Sequence, residues 1–225
     1  ESAEMSGESS SRTNLEIPQA QKDLLAELLK TGKPIVLTLF NGRPLVLTDE
    51  KEKVPAILNT WFAGSEAGYA IADVLFGNEN PSGKLTTTFP RSVGQVPIYY
   101  AHKNTGRPLG NKEGKFEKFK SNYIDERNEP LFPFGFGLSY TTFTYGKIAI
   151  SANKMSSTER LKVTVPVTNS GNFDGKEVVQ LYISDLKSSL PRPTKELKGF
   201  EKVSLKPGET KEVSLTIDKA ALSFF

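Results

Sequence analysis

In QAQKDLLAELLKTG the apolar residues Leu24, Leu25, Leu28 and Leu29 fall on one stripe at helical spacing, and Thr31-Gly32 closes the stretch, which predicts a helix of about three turns. PIVLTLF, from Pro34 to Phe40, is nearly continuous in apolar character, the pattern of a parallel strand covered on both faces. NGRP then turns the chain, and PLVL extends as a short strand. After the charged patch TDEKEKVP, AILNTWF reads as a second buried strand ending at Trp61 and Phe62. In AGSEAGYAIADVLFG, residues Ala67, Ala70, Ile71, Val74 and Leu75 form the apolar stripe of a second helix, with Ser65 as N-cap and Gly77 at its end. NPSGKL is a turn, and TTTF before Pro90 reads as a further strand. Helix, strand, strand, helix is the order of an α/β layered domain.

The pattern then changes twice. Residues 91 to 130 have no sustained period and are rich in Gly, Lys and Asn with interspersed aromatics, the character of a long functional connection or linker. From about Pro133 the chain alternates in period two: TFTYGKIAIS, LKVTVPVTNSG, KEVVQLYISD, ELKGFEKVSL and KEVSLTI are separated by turn signals such as NSGNFDG and KPGE. Strands at this spacing describe a small antiparallel sandwich. The division that follows is an α/β domain over 1–95, a connector over 96–132 and an all-β domain over 133–225.

Length and charge exclude more than they select. A chain of 225 residues has room for two domains of ordinary size. The 29 Lys+Arg against 26 Asp+Glu leave +3, and no basic cluster with interleaved aromatics recruits nucleic acid. The absence of cysteine rules out disulfides, thiolate metal sites and cysteine nucleophiles, but fits a cytoplasmic and a periplasmic enzyme equally. No run of about 18 apolar residues spans a membrane. The start, ESAEMSGESS, has neither a basic nor an apolar region and is no signal peptide; without an initiator Met the chain reads as a fragment.

Four features carry candidate chemistry. GSEAG between a strand and a helix superficially resembles a phosphate cradle, but it lacks a third glycine and an acidic partner downstream, which favours a tight turn. His102 is the only histidine, so neither a metal site nor a Ser-His pair finds a second one, and a loop position is its simpler reading. Tyr99, Tyr100, Phe116, Phe119 and Tyr123 offer faces for a sugar or, more simply, surface that buries against a seam. The fourth is the carboxylate of MSGESSSR: small polar neighbours leave Glu8 either idle or presented to a partner, with Glu1 and Glu4 nearby.

Taken together, SGESSSR, KPIVLTLFNGRPLVL, WFAGSEAGYAIADVLFGNENPSGKLTTTFPRSVGQVPIYY and FPFGFGLSYTTF resemble the C-terminal half of glycoside hydrolase family 3, in particular its bacterial periplasmic β-glucosidases. The resemblance runs from residue 1 almost to residue 225. It implies an α/β sandwich, partial here, followed by a fibronectin type III-like β-sandwich, with a (β/α)8 barrel supplied by the same protein upstream. It also implies a periplasmic or secreted, retaining exo-β-glucosidase that acts on β-glucosides or oligosaccharides and needs no cofactor or metal. In that family an Asp on the barrel is the nucleophile and a Glu on a loop of the α/β domain is the acid/base. The family loop carries its Glu four residues before an Arg, as Glu8 stands before Arg12, so the resemblance implies Glu8 as the catalytic acid/base, with Glu1 and Glu4 in reserve. SSS replaces the family's GYD at this point, so SGE and Arg12 anchor the match.

Two carboxyls roughly 5 Å apart oppose joint ionisation, so beside the barrel the Glu8 pKa is expected to rise, and away from it to stay ordinary. The resemblance leaves open a supporting role for Trp61 or Glu66, and whether HKNTGRP, His102 to Pro108, faces the sugar or the second subunit of a homodimer. Family members continue past the LTID segment with further strands, whereas this chain stops at LSFF. A noncatalytic carbohydrate-binding or scaffolding unit is the alternative function.

Overall fold

A computed structural model describes residues 11–109 and 116–223. The chain divides into two compact units, one comprising Glu1–Ala72, Thr86–Tyr100 and Thr105–Phe134, the other Asp73–Leu85, Ala101–Asn104 and Gly135–Phe225.

In the first unit, helix α1 (Gln19–Leu29) begins after Pro18, whose fixed φ suits a helix start, and stops before Gly32 at φ 67°. Strand β1 (Val36–Leu39) runs parallel to β2 (Ala56–Asn59), with Leu37 beside Ile57 and Leu39 beside Asn59. Between them the charged TDEKEK stretch forms α2 (Thr48–Lys53), with Asp49 and Glu50 in its first turn and Lys51 and Lys53 in its last, the arrangement the helix dipole favours. Helix α3 (Ala67–Leu75) follows the turn after β2.

The core of this unit comprises Ile17, Leu25, Leu39, Leu45, Leu47, Val54, Phe89 and Leu131. Phe89 is central to it. Its ring lies 5.8 Å from that of Trp61 and meets Phe132 edge-on at 6.2 Å. Its backbone exchanges hydrogen bonds with Leu131 and Phe132, Phe89 N donating to Phe132 O at 2.9 Å and Leu131 N to Phe89 O at 2.9 Å.

Several expected elements take other forms. TTTF contributes one antiparallel bridge, Phe89 to Phe132, because the chain leaves extended pairing at Pro90. PLVL likewise contributes a single parallel bridge, Glu16 to Val46. β2 ends at Asn59, is only partly buried, and leaves Phe62 71% exposed. Of the α1 stripe only Leu25 is buried, and no residue of α3 is.

Among the described residues of 96–132 no helix or strand forms, and polar side chains there and just before it satisfy backbone groups. Gln95, 3% exposed, accepts from Arg91 N at 2.7 Å and donates to Arg127 O at 2.8 Å. Asn122 donates to the carbonyls of Lys120 and Glu117, and Asn128 to that of Ser121.

The second unit is built on period-two strands. β3 (Phe143–Tyr145) and β4 (Ala149–Ile150) pair with opposite ends of β5 (Leu161–Asn169), whose other edge carries β8 (Thr210–Ile217); β6 (Gly175–Ile183) pairs with β7 (Glu196–Leu205), and α4 (Lys219–Leu222) follows β8. All these pairs are antiparallel. Inward residues of both sheets, Val165, Val167, Val179, Val203, Leu205 and Val213, form one cluster with Phe143 against it. The alternation along β5 is strict, Val163, Val165, Val167 and Asn169 being buried with partly exposed residues between them.

The NENPSGKL turn is stitched to this sandwich. Asn80 donates to Asp174 O at 2.9 Å and accepts from Ser139 and from Tyr140 N, and Leu85 N donates to Phe136 O at 2.7 Å. The expected tight backbone of FPFGFG is present: Gly135 sits at φ 81°, and a Cβ on Gly137 would collide with the Gly83 carbonyl.

Lys84 Nζ donates to Gly137 O at 2.8 Å and to Glu177 Oε2 at 3.1 Å, while Tyr145 Oη donates to Glu177 Oε1 at 3.0 Å. Burial of the phenol, reinforced by the Glu177 charge and hydrogen bond, raises the Tyr145 pKa above its ordinary value of about 10. A folded-state value above the unfolded one stabilises fully below about pH 10, and that contribution is lost as pH climbs through the folded-state value. The melting temperature of the native chain is therefore expected to fall more steeply above about pH 10 than that of Tyr145→Phe. Parallel profiles would contradict the assignment.

Candidate active site

The proposed proton donor, Glu8, and its reserves Glu1 and Glu4 lie outside the described residues. What the structure describes is the root of their segment. From Ser11 onward the chain runs beside the stretch that follows β1. Arg43 Nη1 donates to Ser11 Oγ at 2.7 Å and to Arg12 O at 2.9 Å, and Val46 N donates to Leu15 O at 2.9 Å. Asn14 Oδ1 accepts from Glu16 N at 2.8 Å, a local turn typical of Asn, before Ile17 enters the core.

The turn that presents Arg43 is itself fixed. Asn41, 1% exposed, donates through Nδ2 to Arg43 O at 2.7 Å, closing the NGRP bend at the carboxyl end of β1. Beyond the end of β2, Thr60 N and Oγ1 both donate to Leu39 O, at 3.0 and 2.7 Å. Trp61 follows at φ 52°, a left-handed conformation that costs a bulky residue roughly 1–3 kcal/mol and that its packing on Phe89 holds. The carboxyl ends of these two parallel strands thus gather polar and strained groups, at the edge where open α/β sheets face ligands. Asn59 adds to them: both polar atoms of its side chain are shielded from solvent and find no hydrogen-bond partner among the described residues.

A cavity of about 300 Å³ lies in the same unit, lined by Leu25, Leu37 and Leu39 together with Lys22, Asn41 and the buried Glu50. Lys22 Nζ donates to Glu16 Oε2 at 2.6 Å, and this bond is the main reason that the Lys22 pKa is raised. Among the described residues no group of three or more His, Cys, Asp or Glu side chains is placed to hold a metal ion, and no helix is long and apolar enough to cross a membrane.

The other sequence candidates fall at scattered places. GSEAG is a strand-to-helix turn in which Gly64 adopts φ 75° and Ala70 N donates to Glu66 O at 3.1 Å, with Glu66 itself exposed. His102 is exposed, and its carbonyl accepts from Thr194 N at 2.9 Å. Tyr100 stacks on Phe134 at 4.3 Å. Tyr99, Phe116 and Phe119 are largely exposed, and Lys118 Nζ lies 5.1 Å from the centre of the Phe119 ring. Sequence reasoning missed Arg43. It treated NGRP as a bend and nothing more, although an Arg between Gly and Pro in an otherwise apolar stretch signals a side chain with a separate task.

Comparison with known proteins adds what geometry alone does not. The sequence profile of the glycosyl hydrolase family 3 C-terminal domain matches residues 1–140, and that of a fibronectin type III-like domain matches residues 177–225. A periplasmic beta-glucosidase of Salmonella typhimurium is 56% identical over 225 residues, which is 100% of this chain and 29% of that protein. A beta-xylosidase of Formosa agariphila is 46% identical over 213 residues, 94% of this chain and 28% of its own length. The crystal structure of a beta-glucosidase from Listeria innocua in complex with isofagomine superposes with a TM-score of 0.93 at 44% identity, covering 100% of this chain and 31% of that one. The chain therefore spans less than a third of the length of these relatives.

Proposed function

Because the chain belongs to glycosyl hydrolase family 3, we propose that it is the C-terminal part of a retaining exo-β-glucosidase acting on terminal non-reducing β-D-glucosyl residues. Its fold is the α/β C-terminal domain of that family followed by a fibronectin type III-like sandwich. The observation that carries the reading is the 56% identity, along the whole chain, to a periplasmic beta-glucosidase. The partner is an N-terminal (β/α)8 barrel of the same protein, the substrate a β-glucoside or oligosaccharide, and the location periplasmic or secreted.

Glu8 is the general acid/base and an Asp on the barrel the nucleophile. In the first step the Asp carboxylate attacks the anomeric carbon while Glu8 gives its proton to the glycosidic oxygen, and the aglycone leaves as an alcohol. In the second, Glu8 takes a proton from water, the hydroxide so formed displaces Asp from the anomeric carbon, and β-glucose is released. A carboxylate close to the Asp favours the protonated form of Glu8 before the first step, when a donor is needed.

Exposed apolar side chains in the first unit support the presence of further protein. Leu24, Phe40, Phe62 and Tyr69 are 60%, 49%, 71% and 77% exposed, apolar side chains that a further domain would cover.

The test exchanges segments. The isolated chain is expected to leave p-nitrophenyl β-glucoside intact, whereas the same chain in place of the matching segment of the Salmonella typhimurium relative is expected to hydrolyse it. Turnover by the isolated chain, or a well-folded chimera without activity, would overturn the proposal.

A further inference from the structure

We infer that the cavity lined by α1 and β1 is a binding site for an organic cation, a positively charged group on an apolar stem, with Glu50 as its counter-charge.

The charges around this cavity do not balance. Its charged lining residues are Glu16, Lys22 and Glu50, two carboxylates against one ammonium. Lys22 is taken up by Glu16 at 2.6 Å, and that carboxylate is half-exposed to water. Glu50 is placed differently. It is 3% exposed in the first turn of α2, and among the described residues no hydrogen bond or ion pair reaches its carboxylate. A buried carboxylate without a partner is costly, and the positive end of a helix of six residues offsets only part of that cost. The space it lines, about 300 Å³, is large enough to admit a small organic group.

The rest of the wall selects the kind of cation. Ile17, Leu25, Leu37, Leu39 and Leu45 make it largely apolar. A hard metal ion takes about six or more oxygen ligands, which one buried carboxylate in such a wall does not supply. An ammonium on a hydrocarbon stem matches both halves, its charge against Glu50 and its stem against the leucines. The lining also includes the exposed Glu16 and Gln21, so the space opens to solvent. Such a group has two sources, a free amine and a lysine side chain from the remainder of the same protein.

n-Butylammonium added to this chain is expected to bind with a Kd on the order of 1 mM, read from the methyl shifts of Leu25, Leu37 and Leu45 in an NMR titration. 1-Butanol, of similar shape but uncharged, is expected to bind at least about tenfold more weakly. Glu50→Gln keeps the shape of the wall and removes its charge. It is expected to weaken n-butylammonium by at least about tenfold and to leave 1-butanol unchanged. Lys22→Met removes the competing cation and is expected to tighten n-butylammonium by about threefold. The opposite signs of these two variants distinguish charge matching from an apolar hole, and Lys22→Met serves as the readout should Glu50→Gln fail to fold. No binding, equal binding of amine and alcohol, or weaker binding in Lys22→Met would overturn the inference.

The chimera with the Salmonella typhimurium relative tells the two sources apart. A site for a free amine stays open there, and n-butylammonium keeps its affinity. A lysine already seated against Glu50 blocks n-butylammonium, and Glu50→Gln then lowers the melting temperature of the chimera. In this chain alone the same change is expected to leave the melting temperature equal or higher, because it removes a buried charge that has no partner. A chimera that neither binds n-butylammonium nor loses stability with Glu50→Gln would have its cavity filled without any cation, and the inference would fall.

Discussion

Glu8→Gln, placed in the chimera that restores the barrel, is expected to lower kcat/KM for methyl β-glucoside by about 10³-fold, the middle of the range that general acid catalysis contributes. Glutamine keeps the size and hydrogen-bonding reach of the side chain but cannot give up a proton, so the loss isolates proton transfer from packing. With the methoxide leaving group unprotonated, the oxocarbenium-like transition state must expel a strong base, which explains why the effect is large for this substrate. Glu4→Gln and Glu1→Gln are expected to stay near native activity. A large loss in either of those, with Glu8→Gln active, would transfer the role to another carboxyl of the same segment.

The second large effect concerns stability. Asn169, fully buried at the end of β5, makes four side-chain hydrogen bonds: Oδ1 accepts from Thr141 Oγ1 at 2.7 Å and Gly171 N at 3.1 Å, and Nδ2 donates to Phe173 O at 2.8 Å and Leu205 O at 3.0 Å. One amide thus holds the β5–β6 turn, the stretch before β3 and the end of β7. Its replacement by Ala strands two buried groups, the Thr141 hydroxyl and the Leu205 carbonyl, and removes the bonds that hold the more exposed Gly171 N and Phe173 O. Each buried group left unpaired costs about 1–3 kcal/mol, which brings the expected loss to about 3 kcal/mol. Asn169→Asp is expected to be no better, because its second oxygen would face two carbonyls. Urea denaturation followed by β-sheet circular dichroism measures the change, and a loss below about 1 kcal/mol would contradict this account.

Much of the second unit was legible because its strands obey a single rule. KEVVQLYIS and KEVSLTI alternate inward and outward residues, and the observed strands fall on those stretches. What period-two reading does not reveal is chemistry concentrated in one side chain. NSGNFDG reads as a turn, yet Asn169 within it is the most connected buried amide described above.

The first unit was harder to read because its two strands are short and the residues between them form α2 by charge placement, with no apolar stripe to announce it. The apolar run of AILNTWF suggested more burial than the described residues provide, since continuous apolar character reports what a segment is suited to be covered by, and not whether the cover lies within the same chain.

The site divides in the same way. SGE and Arg12 pointed to Glu8 through family resemblance, because a loop carboxylate among serines carries no periodicity and no packing signal of its own. Arg43 became apparent only when residues 31 and 32 positions apart were seen to meet.

The central claim, that Glu8 serves a retaining reaction as acid/base, is tested most directly by adding azide to the Glu8→Gln chimera turning over 2,4-dinitrophenyl β-glucoside. A glycosyl-enzyme then forms without acid help but waits for a base, and azide, which needs none, attacks it from the face that water would use. The account predicts a faster reaction whose product is β-glucosyl azide. The α anomer would make Glu8 the nucleophile instead, and unchanged release of glucose without any azide adduct would remove Glu8 from the chemistry.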